Sequence, residues 1–165
     1  RSDSHAGRSY APIGETPVRL VSGSRFSTNM ISTVTNRGKL RFMLYRETLT
    51  APVLIRFLSR LIRDAQGRKV FLILDNLRVH HSKKVSAWVG DRKEQIELFF
   101  LPAYAPELNP DEYLNCDLKH QVRTGLPARN QDELERRVRS VMRRLQLRPQ
   151  RIRSYFRHPR IAYAA

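Results

Sequence analysis

The stretch that decides the fold runs from Val70 to Lys119: VFLILDN at 70–76, IELFFLP at 96–102 and ELNPDEYLNCDLK at 107–119. Val70 to Leu74 is a continuous apolar run, the pattern of a strand buried on both faces, and Ile96 to Leu101 is a second apolar strand. Between them, Ser82 to Asp91 carries Val85, Trp88 and Val89 at helical spacing. A crossover of that length pairs its two strands in parallel. The unit delivers Asp75 at the mouth of one strand and Glu112 just beyond the other, so two acidic residues converge on one place.

Upstream, Phe26 to Thr35 and Leu40 to Tyr45 are β-leaning runs joined by Asn36-Arg37-Gly38, a glycine-containing connection that predicts an antiparallel hairpin. Thr50 is placed to cap a helix that tolerates Pro52 in its first turn. Val53, Leu54, Phe57, Leu58, Leu61 and Ile62 form its apolar stripe, and it ends near Gly67. The sheet is therefore expected to be mixed, antiparallel strands first and parallel strands after. From Arg1 to Gly23 the chain is polar and punctuated by Gly7, Pro12, Gly14 and Pro17, with one short strand expected around Val18 to Val21.

Downstream of the Pro-rich loop PAYAPELNP, a helix is predicted from Pro110 to about Val122. A second runs from Gln131 to about Leu147, with Leu134, Val138, Val141, Met142 and Leu145 on one face and arginines on the other. Ile152, Tyr155 and Phe156 at i, i+3 and i+4 predict a short docking helix. There is no internal repeat.

The 165 residues suit one domain, which at this size buries roughly 70% of its unfolded surface. Thirty-one Lys and Arg against 15 Asp and Glu leave a formal charge of +16, the balance of a folded protein that faces a polyanion, nucleic acid first. No apolar run reaches the roughly 20 residues that span a bilayer, so no membrane partner is expected. The single Cys116 excludes an internal disulfide and a thiolate zinc cluster, and a reducing cytoplasm is the expected setting. The chain opens at Arg1 in loop-like sequence, and is read as a piece of something longer.

Each acid has a plain structural alternative. Asp75 with Asn76 can begin a turn, and Asn109, Pro110, Asp111 and Glu112 spell a helix-capping box with Glu112 at N3. Helical facing separates the two neighbours: Leu114, Leu118 and Val122 share a face whose middle passes through Asp111, which therefore points to the core side. Glu112 lies opposite, with Cys116, Lys119 and Arg123. Glu112 is thus preferred as the partner of Asp75, and two cations stand in line with it to hold phosphates.

Two carboxylates about 4 Å apart repel by some 4 kcal/mol at an effective dielectric near 20, a cost that a divalent cation removes. All-oxygen ligands suit Mg²⁺ or Mn²⁺. His80 and His81 are adjacent and point apart on either a helix or a strand, so a capping or solvated role is favoured over metal ligation. The arginines from 136 to 153 read as a solvated helical face that also suits phosphate contact.

Taken together, LILDN followed by His80, LPAYAPELNPDE and Leu118-Lys119 resemble the catalytic core of DDE transposases, in particular the bacterial insertion-sequence family six-thirty, relatives of the mariner group. The 37-position step from Asp75 to Glu112 leaves 36 residues between the acids, within that family's range. The resemblance extends from GRSYAPIGETP to FRHPRIAYAA. It implies a ribonuclease-H-like fold, a mixed sheet flanked by helices, here without its first strand, and three acids that bind two metal ions.

In the family the first catalytic Asp sits on that first strand, preceded by a helix-turn-helix region. Asp3 falls in the turn after the expected strand and is not given the role. Asp111 departs from the apolar residue relatives often carry. The chain is thus expected to be a partial catalytic domain over 1–165, with basic helices in 131–157, whose intact form cuts and joins DNA at insertion-element ends. Asp75 and Glu112 are the expected catalytic and metal-binding residues, with Mg²⁺ or Mn²⁺; Asn76, His80, Lys119 and Arg123 are the expected nucleic-acid contacts. Lacking one acid, the chain is expected to be weak or inactive. The expected partners are transposon-end and target DNA, and a homodimer or an intact transposase; the setting is the bacterial cytoplasm, associated with the nucleoid. The competing expectations are a basic nucleic-acid-binding remnant without chemistry and a non-catalytic scaffold.

Overall fold

A computed structural model describes residues 12–13, 26–103, 105–124 and 127–164; the short strand expected around Val18 to Val21 lies outside them. The chain order is β1 (Asn29–Val34), β2 (Leu40–Tyr45), α1 (Ala51–Asp64), β3 (Val70–Leu74), α2 (Lys83–Gly90), β4 (Ile96–Phe100), α3 (Pro110–Arg123), α4 (Gln131–Gln146) and α5 (Pro149–Ser154). Short 3₁₀ turns stand at Arg78–His81, Pro106–Leu108 and Pro159–Ala164.

β1 and β2 form the expected antiparallel hairpin, with Asn29 opposite Tyr45 and Val34 opposite Leu40. Gly38 turns it at φ +82°, a conformation that costs a glycine little. The hairpin is the wall between two cores, because its side chains alternate from face to face. Leu40, Phe42 and Leu44 join Met30 and Val34 against α3, α4 and α5, whereas Met43, Tyr45 and Ile31 join α1, α2, β3 and β4. The five buried residues of α1, Val53, Leu54, Phe57, Leu58 and Leu61, are those of the predicted stripe, each contributing about 1.5–3 kcal/mol of transfer free energy. Thr50 occupies the N-cap of α1 without a side-chain hydrogen bond, so Pro52 rather than the hydroxyl defines this start.

β3 and β4 pair in parallel, Val70 with Ile96 through Leu74 with Phe100, as the crossover requires. The expected mixture of an antiparallel pair and a parallel pair, flanked by helices, is present, and among the described residues the two pairs stand as separate two-stranded sheets. The free edges of β1 and β3 flank a groove of about 670 Å³, lined by Met30 to Val34 on one side and Val70 to Asp75 on the other. No strand among the described residues lies between those edges to bridge their backbone groups. The outer face of the parallel pair is also bare: Phe71, Ile73 and Phe99 are 64%, 44% and 46% exposed. Their neighbours Leu72 and Ile96 are buried in the core shared with α1 and α2.

α4 begins at Asn130, whose side chain accepts the Glu133 N–H, and buries Leu134, Val138, Val141, Met142 and Leu145. Beyond it Ile152, Tyr155 and Phe156 are buried, so the predicted docking segment is in place. Tyr155 donates its hydroxyl to Asp117 on α3 at 2.6 Å, and Arg151 donates to the same carboxylate at 2.8 Å.

Candidate metal and nucleic-acid site

Asp75 follows the last residue of β3, where the strand leaves the core. The ladder is extended past it by the Leu101 N–H donating to the Leu74 carbonyl at 2.8 Å. The next residues fold back in the Arg78–His81 turn, closed by the His80 N–H on the Leu77 carbonyl, and that brings the His80 ring under Asp75. His80 Nδ1 donates to the Asp75 carbonyl at 3.0 Å and lies 3.1 Å from Asp75 Oδ1. Because the N–H is aimed at the carbonyl, Oδ1 is left buried without a hydrogen bond.

His80 is 5% exposed. It lines the groove, with Nδ1 engaged by the Asp75 carbonyl. The two histidines do point apart. His81 stacks on Phe100, ring centroids 4.2 Å apart, and its Nε2 lies 2.5 Å from Asn76 Oδ1. That contact engages the Asn76 carboxamide outside the groove.

Glu112 arrives on the first turn of α3, which starts where Asn109 caps the Asp111 N–H at 3.0 Å and Pro110 occupies the first helical position. The reciprocal half of the capping box is not formed. The Asn109 N–H donates to the Pro106 carbonyl, and the exposed Glu112 carboxylate accepts no hydrogen bond among the described residues.

Asp111 turns inward, as its helical position predicts, and meets Ser32 of β1, whose hydroxyl lies 2.9 and 2.8 Å from its two oxygens. Burial pushes the Asp111 carboxyl up from 3.8 to about 6, the negative charges of Glu112 and Asp75 push the same way, and the Ser32 hydrogen bond opposes them. Sequence reasoning gave Asp111 no partner, because nothing local marks a serine 79 positions away.

Asp75, His80, Asp111 and Glu112 all line the groove between β1 and β3. Lys119 and Arg123 lie further along α3 in an adjoining groove. Among the described residues no group of three or more His, Cys, Asp or Glu side chains is close enough to hold a metal ion. The donor set that faces the groove is thus Asp75 and Glu112, all oxygen, with Asp111 withdrawn to Ser32. A hard divalent cation fits such a set.

An acid at the carboxyl end of one parallel strand, a flanking helix that brings another, and a formal charge of +16 suit a ribonuclease-H-like domain that faces nucleic acid. Residues 1–135 match the model of the DDE superfamily endonuclease family, and the chain belongs to that family. The fold is similar to that of the Mos1 mariner transposase in a paired-end complex with Mn, with a TM-score of 0.65 at 15% identity over 98% of this chain and 52% of that one. It is also similar to the isolated catalytic domain of Mos1 mariner transposase, TM-score 0.56 and 14% identity, covering 83% of this chain and 80% of that one. A third likeness is to the Mos1 transposase catalytic domain with Raltegravir and Mg, TM-score 0.55 and 16% identity, covering 83% and 81%. The chain therefore spans about half the length of the paired-end transposase chain. A comparison with curated proteins finds no match. No helix among the described residues is long and apolar enough to cross a membrane.

Proposed function

We propose that this chain carries a transposase catalytic domain, of the insertion-sequence type related to mariner, that acts on DNA at element ends with Mg²⁺ or Mn²⁺. The observation that carries this reading is the pair of carboxylates on one groove, Asp75 at the end of β3 and Glu112 on the first turn of α3 with no hydrogen bond among the described residues. A divalent cation bound there supplies charge neutralisation at the scissile phosphate and activation of water or a DNA 3′-hydroxyl. Asp75 and Glu112 hold the cation, His80 fixes the Asp75 backbone, and Lys119 steadies a phosphate along α3.

The residues 1–165 act as one catalytic domain, with basic helices in 131–157. The partners are element-end and target DNA in the nucleoid, and a second copy or an intact transposase.

Mn²⁺ titration tests the core of this reading. Saturating Mn²⁺ at about 100 times its Kd raises stability by about 2.7 kcal/mol if the folded state alone binds it. Asp75→Asn and Glu112→Gln should each remove most of that gain. Metal-induced stabilisation that survives both substitutions would discard the metal site.

The remnant reading has one observation in its favour, namely that among the described residues no group of three or more His, Cys, Asp or Glu side chains could hold a metal ion. It requires DNA binding that is steeply salt-dependent and indifferent both to metal and to Glu112→Gln.

A further inference from the structure

Glu112 reaches the groove at the end of a loop that has little to hold it. Prolines at 102, 106 and 110 supply no backbone N–H, and the turn Pro106–Leu108 buries none of its residues. Its backbone hydrogen bonds are local: the Leu108 N–H donates to the Ala105 carbonyl at 3.1 Å, Asn109 to Pro106 at 3.0 Å and Glu112 to Asn109 at 3.1 Å. Such bonds give the turn its shape but do not fix where it stands, and segments with few buried contacts open most readily. A second segment, Pro159–Ala164, meets this turn from 55 positions downstream. The Tyr163 hydroxyl donates to the Leu108 carbonyl at 2.6 Å, and Arg160 lies 3.9 Å from Glu107. The His158 ring stands 5.7 Å from that of Tyr113, the residue next to Glu112.

The downstream segment is itself anchored. Ile161 is fully buried in the core that holds Leu114 and Leu118 of α3, and its N–H donates to the His158 carbonyl at 2.8 Å. Tyr163, half exposed, lines the same groove as Asp75 and Glu112. We propose that Tyr163 is a positioning residue for the metal site, resting on the metal reading above. Its hydroxyl clasps the Leu108 carbonyl, and so holds the capping Asn109 and the first turn of α3 where the Glu112 carboxylate reaches the groove. A cation binds two ligands best when both are already in place, because ordering one of them on binding subtracts from affinity. The exposed Arg160–Glu107 pair adds little of its own; the hydrogen bond to Leu108 is the working contact. Tyr163 lies beyond residues 1–135, the part that matches the family model, so the clasp belongs to the segment that follows it.

The test is Tyr163→Phe in the full chain, which keeps the ring and removes the hydroxyl. With a chelator present, amide hydrogen exchange at Leu108, Asn109 and Glu112 should quicken by about threefold to tenfold, the net worth of one hydrogen bond, while Val141 and Met142 in α4 exchange as in the parent. In calorimetric titration the variant should bind Mn²⁺ more weakly by a similar factor. Unchanged exchange at Leu108, Asn109 and Glu112 would overturn the clasp. Faster exchange there with Mn²⁺ affinity intact, or acceleration that extends equally to α4, would overturn the positioning role. A parent chain whose Mn²⁺ binding ignores both Asp75→Asn and Glu112→Gln would overturn the metal reading, and the role of Tyr163 with it.

Discussion

The Ser32 hydroxyl on β1 reaches both carboxylate oxygens of Asp111 on α3, at 2.9 and 2.8 Å, and so ties the hairpin to the helix that carries Glu112. This bond joins the edge of one sheet to the acid-bearing helix and fixes which of two adjacent acids faces the groove as a free donor.

The same bond sets a pH dependence. The Asp111 carboxyl is pushed from 3.8 up to about 6, chiefly by burial, so between about pH 4 and pH 6 the folded chain holds this proton more tightly than the unfolded chain does. Stability contributed by this group is therefore present below about pH 4 and is lost as pH rises through about 6, by up to about 3 kcal/mol. Asp111→Asn keeps an acceptor for Ser32 and removes the charge. Denaturant titrations with a chelator should show the variant more stable than the parent by about 1–2 kcal/mol near pH 8 and equal to it near pH 4. A parallel pH profile in both proteins would refute the assignment.

Asp117 behaves oppositely. Burial raises its carboxyl, but hydrogen bonds from Arg151, Tyr155 and Gln121 outweigh this and hold it below its ordinary value. Its contribution is present above the unfolded pKa and fades as pH falls through the folded one. Tyr155→Phe removes the 2.6 Å hydrogen bond and should cost about 1–2 kcal/mol, measured by urea unfolding near neutral pH. An unchanged midpoint would mean that the bond contributes nothing net.

His80 should matter to metal affinity without touching the metal. His80→Ala releases the Asp75 carbonyl, and loss of such a supporting partner typically costs ten- to a hundred-fold in affinity. Calorimetric Mn²⁺ titration should show a fall of about tenfold, while Asn76→Ala, whose side chain engages His81 outside the groove, should leave the affinity near that of the parent. Equal losses in the two variants would argue against a specific positioning role.

Gly38 and Gly67 have nearly the same positive φ, +82° and +83°, yet different surroundings. A Cβ at Gly38 would lie 2.6 Å from the Pro149 carbonyl oxygen, whereas one at Gly67 would meet nothing within 4 Å. Gly67→Ala should cost about 1 kcal/mol from the backbone alone, and Gly38→Ala at least about 2 kcal/mol because the hairpin and the start of α5 must also separate. Thermal melts of the two variants check the order; a larger loss at Gly67 would contradict it.

Much of this was legible in the sequence because it is local. The apolar runs of β3 and β4, the stripes of α1 and α4 and the glycine of the hairpin each declare themselves within a few residues, and so does the inward turn of Asp111 at helical spacing. The split of the sheet was not legible: periodicity identifies a strand but not what lies against its edge, and β1 and β3 are separated by a groove rather than joined. The burial of His80 also escaped, since a 3₁₀ turn that folds the ring under Asp75 leaves no periodic mark. Ser32 had no local sign of its partner, and the chemistry of the pair came into view only through the resemblance carried by Asp75, Glu112 and the intervening loop.

The helix that presents Glu112 is held at one end by Ser32 and further along by Tyr155, residues that stand near opposite ends of the described chain. Contacts so far apart in sequence are slow to form, since the loop between them must close first. During synthesis the Ser32 clamp can close as soon as α3 emerges, whereas the clamp on Asp117 waits until Tyr155 has been made. The walls of the groove are thus the last part of the described fold to be locked in place.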